Sequence, residues 1–227
     1  MPAPDRATVL AAILEIGFVP TFTSPEPDAA FGVVRACVAG GARVVEFTNR
    51  GEGAPEVFRV LAPRVRDELP EAILGAGTIL DAPTAAGFIA AGARFIVSPI
   101  VDDDTIRLCN ARRIACLPGA FTPTEIARAE ALGCEIVKLF PQAAIDGPAF
   151  VRSVLGPMPA TRLMPTNVTF SAEALAAWFG AGAAAVGLGP GLITPETVAG
   201  RDEAGLRERV RHAAAWVDAA RAGGDGR

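Results

Sequence analysis

Ala39-Gly40-Gly41-Ala42-Arg43-Val44-Val45-Glu46 reads as a helix end, a glycine stop and the start of a strand, and the chain repeats that pattern. Its echoes are Ala90-Ala91-Gly92-Ala93-Arg94-Phe95-Ile96-Val97, Ala131-Leu132-Gly133-Cys134-Glu135-Ile136-Val137-Lys138 and Gly180-Ala181-Gly182-Ala183-Ala184-Ala185-Val186-Gly187. In each, a glycine closes a helix where the backbone wants a left-handed residue. A short apolar run without polar alternation follows. Such runs suit strands covered on both faces, as in parallel sheets.

Between the echoes lie Gly17-Phe18-Val19-Pro20, Ala72-Ile73-Leu74-Gly75, Arg113-Ile114-Ala115-Cys116-Leu117 and Arg162-Leu163-Met164-Pro165, which makes eight candidate strands. They recur roughly every 20–30 residues, the spacing of strand-plus-helix units. Starter residues, apolar periodicity and a glycine stop predict helices over Asp28 to Val38, Pro83 to Ala91, Thr122 to Leu132 and Ser171 to Gly180. A further helix, about Arg6 to Ile16, precedes strand one and can plug the floor of a barrel. The expected fold is α/β, a (β/α)8 TIM barrel with an extra N-terminal helix, as a single domain over residues 1–222 with a disordered tail over 223–227. An open doubly wound sheet is the alternative. No G-x-G-x-x-G follows a first strand, which argues against a dinucleotide fold.

Composition narrows the function. A net charge of −4 favours neither nucleic acid nor an anionic membrane as partner. No apolar stretch approaches the roughly 18 residues of a spanning helix, and Met1-Pro2-Ala3-Pro4-Asp5-Arg6 does not read as a signal peptide. Cys37, Cys109, Cys116 and Cys134 form no C-x-x-C and read as buried hydrophobes of a reducing cytosol. The one histidine, His212, lies in a charged helical stretch, so His-rich zinc sites and histidine triads are not expected.

Lys138 is the only lysine; the other twenty basic residues are arginines. It sits in Glu135-Ile136-Val137-Lys138-Leu139-Phe140-Pro141, a run that reads as a buried strand. Arginine keeps its proton at any useful pH, whereas a desolvated lysine can lose it. A neutral amine at a strand end can attack a carbonyl and form a Schiff base. A lysine snorkelling into water is the other reading.

In a barrel, chemistry gathers at the C-terminal ends of the strands. The polar residues there are Glu46, Thr48, Asn49 and Arg50 after strand two, Thr78 after strand three and Ser98-Pro99 after strand four. Pro118-Gly119, Lys138 to Pro141, Thr166-Asn167 and Gly189-Pro190-Gly191 end strands five to eight. A 2-keto acid needs such a set: Arg50 as a bidentate fork for its carboxylate, Thr78 for a hydrogen bond, Lys138 for the ketone, and Glu46 for proton transfer. Glu46 and Arg50 also fit a loop ion pair, and Thr78 also fits an N-cap before Asp81-Ala82-Pro83.

With those residues in place, the chain resembles the 2-keto-3-deoxy-6-phosphogluconate / 4-hydroxy-2-oxoglutarate aldolases, the small class I pyruvate aldolases. The likeness rests on Gly40 to Arg50, Gly75-Ala76-Gly77-Thr78, Ser98-Pro99, Leu117-Pro118-Gly119 and Val137-Lys138-Leu139-Phe140-Pro141, in that order along the chain. The resemblance implies a homotrimer that reversibly cleaves a 4-hydroxy-2-keto acid into pyruvate and an aldehyde, and the cysteines place it in the cytoplasm. It implies Lys138 as the Schiff-base lysine, Glu46 as acid and base, and Arg50 and Thr78 as carboxylate ligands, with Pro99 and Phe140 lining the pyruvate pocket. It implies no metal and no cofactor, because the protonated imine is the electron sink. The only partner expected is the small 2-keto acid.

Two stretches depart from the family's pattern. The family carries Thr-Gly-Gly after strand seven, where this chain has Thr166-Asn167-Val168, and a serine after the strand-eight glycine, where Gly189 is followed by Pro190. A phosphate cradle needs free backbone donors, and proline has none. Thr166, Asn167 and Gly189 are therefore expected to bind the aldehyde half of a substrate whose tail is unphosphorylated or otherwise unusual. Other readings on the same barrel are a phosphate-binding isomerase or synthase, and a degenerate trimeric barrel that only binds.

Overall fold

The computed structural model describes residues 4–142 and 145–223. The tail expected to be disordered lies, beyond Gly223, outside the described residues. Among the described residues are nine strand segments: β1 (Phe18–Phe22), β2 (Val44–Thr48), β3 (Ile73–Gly77), β4 (Phe95–Val97), β5 (Ala115–Leu117), β6 (Gly119–Ala120), β7 (Val137–Leu139), β8 (Leu163–Pro165) and β9 (Val186–Leu188). The helices are α1 (Arg6–Ile16), α2 (Pro27–Ala39), α3 (Ala54–Glu68), α4 (Ala82–Ala91), α5 (Asp103–Ala111), α6 (Pro123–Ala131), α7 (Gly147–Leu155), α8 (Ala172–Gly180), α9 (Pro195–Gly200) and α10 (Glu203–Ala222).

Every strand pairing among the described residues is parallel, and the sheet curls. One run of strands has the order β5-β4-β3-β2-β1-β9 and the other β6-β7-β8. The fifth expected strand is therefore two pieces. Pro118 lacks an N–H and breaks the ladder between them, while its carbonyl still accepts from the Lys138 N–H at 2.9 Å. The four junction glycines behave as their pattern predicts: Gly41, Gly92, Gly133 and Gly182 have φ of 104°, 119°, 91° and 98°, a region that costs an L-residue with a β-carbon roughly 1–2 kcal/mol.

Strand side chains alternate between two apolar clusters. Phe18, Val45, Leu74, Ile96, Cys116, Val137, Leu163 and Val186 pack towards the helices. Val19, Val44, Ile73, Phe95, Val97, Leu117, Ile136, Met164 and Ala185 pack together on the inner face, joined by Val9, Leu10, Ala12 and Ile13 of α1. Full burial of one such Val, Leu, Ile or Phe side chain is worth about 1.5–3 kcal/mol, so both faces of the sheet are firmly specified. All four cysteines are free and buried.

Candidate active site

The inner parity of the strands, followed past the apolar cluster towards the strands' C-terminal ends, reaches Thr21, Glu46, Thr48, Gly75, Gly77, Lys138, Thr166 and Gly187. Register aligns them. Thr21 pairs with Glu46 and Glu46 with Gly75, while Lys138 pairs with Gly119 and Met164. Alternation thus sets a carboxyl, an amine and hydroxyls above an apolar floor.

Glu46 is 2% exposed, and its Oε2 has no hydrogen-bond partner among the described residues. A buried, unpaired carboxylate is costly. Burial pushes the Glu46 carboxyl above the usual range, against the smaller opposing pull of the Lys138 and Arg50 charges. Lys138 is 7% exposed. Burial pushes its amine below the usual 10.5; the Glu46 charge opposes that and the Arg50 charge adds to it. Two buried groups driven towards neutrality and coupled through their charges suit proton transfer and nucleophilic attack. Modification of Lys138 by an amine-selective reagent, followed against pH, is expected to report an apparent pKa below 10.5; a curve at the ordinary lysine value contradicts the desolvated amine.

The Glu46 carboxylate lies over Gly77, where a β-carbon built on the glycine would overlap it. Gly77→Ala is therefore expected to push the carboxyl aside. Displacement of this size near reacting atoms costs about 10²-fold in kcat, and retention of the wild-type circular dichroism separates that loss from unfolding.

Arg50 is exposed at the rim, and its Nε donates to Thr78 Oγ1 at 3.3 Å. Thr78 has φ 60°, a left-handed conformation that strains a β-branched residue. It is not a helix cap: Asp81 caps α4, its carboxylate accepting from the Thr84 N–H. The ion-pair alternative for Glu46 also fails among the described residues, where Arg50 bonds Thr78 and leaves the Glu46 Oε2 unpartnered. Phe140 places its ring centroid 5.0 Å from Lys138 Nζ. Pro99 packs on Gly119, which pairs with Lys138.

Thr166 is buried and bridges to Gly187. Asn167 is exposed at φ 60°, its carbonyl accepting from Gln142 Nε2 at 3.1 Å. The N–H of Val168 donates to the Gly187 carbonyl, and those of Leu192 and Ile193 to the Gly189 carbonyl. With Pro190 lacking an N–H and the Val168, Leu192 and Ile193 N–H groups bonded to carbonyls, fewer donors are left here for an anion cradle.

Two hydroxyls were not assigned from the sequence. Strand one reads as ending at Pro20, but β1 runs on to Phe22 and brings Thr21 inward beside Glu46. Thr48, 6% exposed, lies on the same inner parity two residues past Glu46. Alternation carried two residues further along each strand was the signal for both. His212 stacks on Trp216 in α10, apart from this cluster. Surface grooves of about 290 and 310 Å³ open elsewhere, by Phe31, Arg64 and Glu203 and by Pro55, Pro83 and Phe88. Neither contains a residue of the cluster, and neither holds a buried titratable pair. The chemistry therefore marks the site better than volume does.

Residues 10–207 match the sequence pattern of a family described as aldolase, KDPG and KHG aldolase. The chain is 33% identical over 160 residues to the 2-dehydro-3-deoxy-phosphogluconate aldolase of Treponema pallidum, covering 70% of this chain and 74% of that one. It is 34% identical over 161 residues to the KHG/KDPG aldolase of Escherichia coli K12, with the same coverage of 70% and 74%. Among solved structures, the 4-hydroxy-2-oxoglutarate aldolase/2-deydro-3-deoxyphosphogluconate aldolase from TTHB1 superposes with a TM-score of 0.79 at 30% identity, covering 92% of this chain and 98% of its own. The KDPG aldolase of Legionella pneumophila, with pyruvate captured at low pH as a covalent carbinolamine intermediate, shares the fold at a TM-score of 0.81, 24% identity and coverage of 92% and 98%.

Proposed function

Because this chain belongs to the KDPG and KHG aldolase family, we propose that Lys138 is the amine on which it carries out the family's chemistry. The enzyme is a class I, Schiff-base aldolase that cleaves a 4-hydroxy-2-keto acid to pyruvate and an aldehyde. The observation that carries the assignment to these residues is the buried pair, Lys138 with a lowered pKa and Glu46 with a raised one.

The neutral Lys138 amine adds to the C2 ketone, and the carbinolamine loses water as Glu46 supplies the proton. The resulting iminium draws electrons from the C3–C4 bond while the Glu46 carboxylate takes the proton of the C4 hydroxyl. The aldehyde leaves and an enamine remains on Lys138. Proton return to C3 and hydrolysis of the imine release pyruvate and restore the amine. Arg50 and Thr78 hold the C1 carboxylate, and Phe140 and Pro99 wall the pyruvate half. Thr166, Asn167 and Gly189 face the aldehyde half.

The same reading supports a closed (β/α)8 barrel as one domain over residues 1–222. The Ala184 N–H donates to the Leu163 carbonyl and Thr166 bridges to Gly187, which tie β8 to β9; β5 and β6 together act as one stave. Buried Val9, Ala12 and Ile13 fit α1 as an extra helix closing the floor. Family membership favours a homotrimer, which sedimentation would read as three times 23.3 kDa. Four free buried thiols favour the cytoplasm, and no helix of the described residues is long and apolar enough to cross a membrane.

Pyruvate release in the steady state tests the function. The enzyme is expected to cleave an unphosphorylated 4-hydroxy-2-keto acid such as a 2-keto-3-deoxy sugar acid, whose aldehyde half is neutral. A strong preference for the 6-phosphorylated sugar acid contradicts the reading of the committed Val168, Leu192 and Ile193 amides and of Pro190.

A further inference from the structure

We infer that Thr21 and Asn167 form the subsite that selects the aldehyde, and that they select a neutral hydroxyaldehyde over a phosphorylated one. The inference rests on the aldolase reading and goes beyond it in naming what the far half of the pocket accepts.

Arg50 and Thr78, at the ends of β2 and β3, claim the carboxylate side, and Lys138 on β7 claims the ketone. Two arcs of the rim lie between these groups, and on the one from β4 to β6 Pro99 packs against Gly119, which leaves the other for the aldehyde. That arc, between β7 and β2, is β8, β9 and β1. Its strand ends, Thr166 to Phe170, Gly187 to Ile193 and Thr21 to Ser24, contain no lysine or arginine. Over Gly189 this arc closes to a small polar point. The position of a β-carbon on Gly189 is 3.0 Å from Thr21 Oγ1 and 3.4 Å from Asn167 Oδ1. No hydrogen bond among the described residues uses either oxygen; Gln142 donates to the main-chain carbonyl of Asn167, not to its side chain.

A hydroxyl and an amide can each donate and accept, so the pair complements a substrate hydroxyl. They bring no charge to an anion, and the amides of Val168, Leu192 and Ile193 are already committed to carbonyls. A phosphate drawn out of water here would lose hydration without gaining a counter-charge. Thr21 also neighbours Glu46 by register, so a hydroxyl held by Thr21 would orient the chain next to the carbon where the bond breaks.

The test runs the reaction in the synthetic direction, with pyruvate and three acceptors: glyceraldehyde, glyceraldehyde 3-phosphate and propanal. Borohydride trapping of pyruvate on Lys138 is measured in parallel. Wild type is expected to give its highest kcat/KM with glyceraldehyde. Thr21→Val keeps the shape and removes the hydroxyl, so the glyceraldehyde-to-propanal ratio should fall about tenfold or more, as expected where a site built for a hydroxyl loses its partner. Thr21→Ser should hold most of that ratio, and Asn167→Gly, which suits φ 60°, should lower it. A wild-type preference for the 3-phosphate, or a ratio unmoved in both Thr21→Val and Asn167→Gly, overturns the inference while trapping persists. Absence of trapping in wild type overturns the aldolase reading, and this inference with it.

Discussion

Replacing Lys138 by arginine is expected to leave no measurable pyruvate release, a fall in kcat of about 10⁴–10⁶-fold, the scale seen when a covalent nucleophile is removed. The substitution keeps a positive charge and much of the side-chain bulk. It removes the property the reaction needs, since a guanidinium does not give up its proton at any useful pH. Lys138 is 7% exposed, so the arginine also buries a charge that cannot neutralise itself, and thermal stability should fall along with activity. Rates should be compared at a temperature where circular dichroism shows the variant folded. Activity within tenfold of wild type would remove Lys138 from the chemistry.

Glu46→Gln separates stability from catalysis. Loss of a general acid and base lowers kcat by about 10²–10⁴-fold. Stability should move the other way, and the sign follows from linkage. The folded pKa of Glu46 is raised above 4.5 by burial, so the folded protein holds a proton that the unfolded chain releases. The folded state is then favoured below 4.5 and loses that advantage as pH rises through the raised folded value. Glutamine does not titrate. The melting temperature of Glu46→Gln relative to wild type should therefore be higher at pH 8 than at pH 4. Wild-type turnover with the same stability gain would mean a buried carboxyl without a catalytic role.

Lys138 runs the linkage in the opposite direction, because burial lowers its pKa from 10.5. The unfolded chain binds the extra proton between the folded value and 10.5, so this group's contribution to stability rises with pH across that window. The two groups together make a site that is costly to fold and suited to react, a conflict retained where function requires it.

The elements that the sequence reveals most clearly are those set by local chemistry. The Gly41, Gly92, Gly133 and Gly182 junctions are visible because a left-handed residue and a following apolar run are both written into neighbouring residues. Lys138 stands out because it is the one amine in a chain of arginines. What escapes a linear reading depends on neighbours distant in sequence. The break at Pro118 shows only as a change of pairing partner, from β4 to β7. Thr21 reads as the residue after a short strand until β1 is seen to pair with β2 beyond Pro20. The role of Gly77 is legible only once the Glu46 carboxylate is found lying over it. Thr78 reads as a possible cap in sequence, and the hydrogen bond from the Thr84 N–H shows that Asp81 caps α4 instead.

The most direct measurement is reduction with borohydride in the presence of pyruvate, followed by peptide mass spectrometry of the intact wild-type enzyme. One adduct is expected, on the peptide that carries Lys138, formed at pH values where an ordinary lysine would be fully protonated. An enzyme that releases pyruvate from its substrate yet shows no adduct, or carries it on the N-terminal amine instead, contradicts the account.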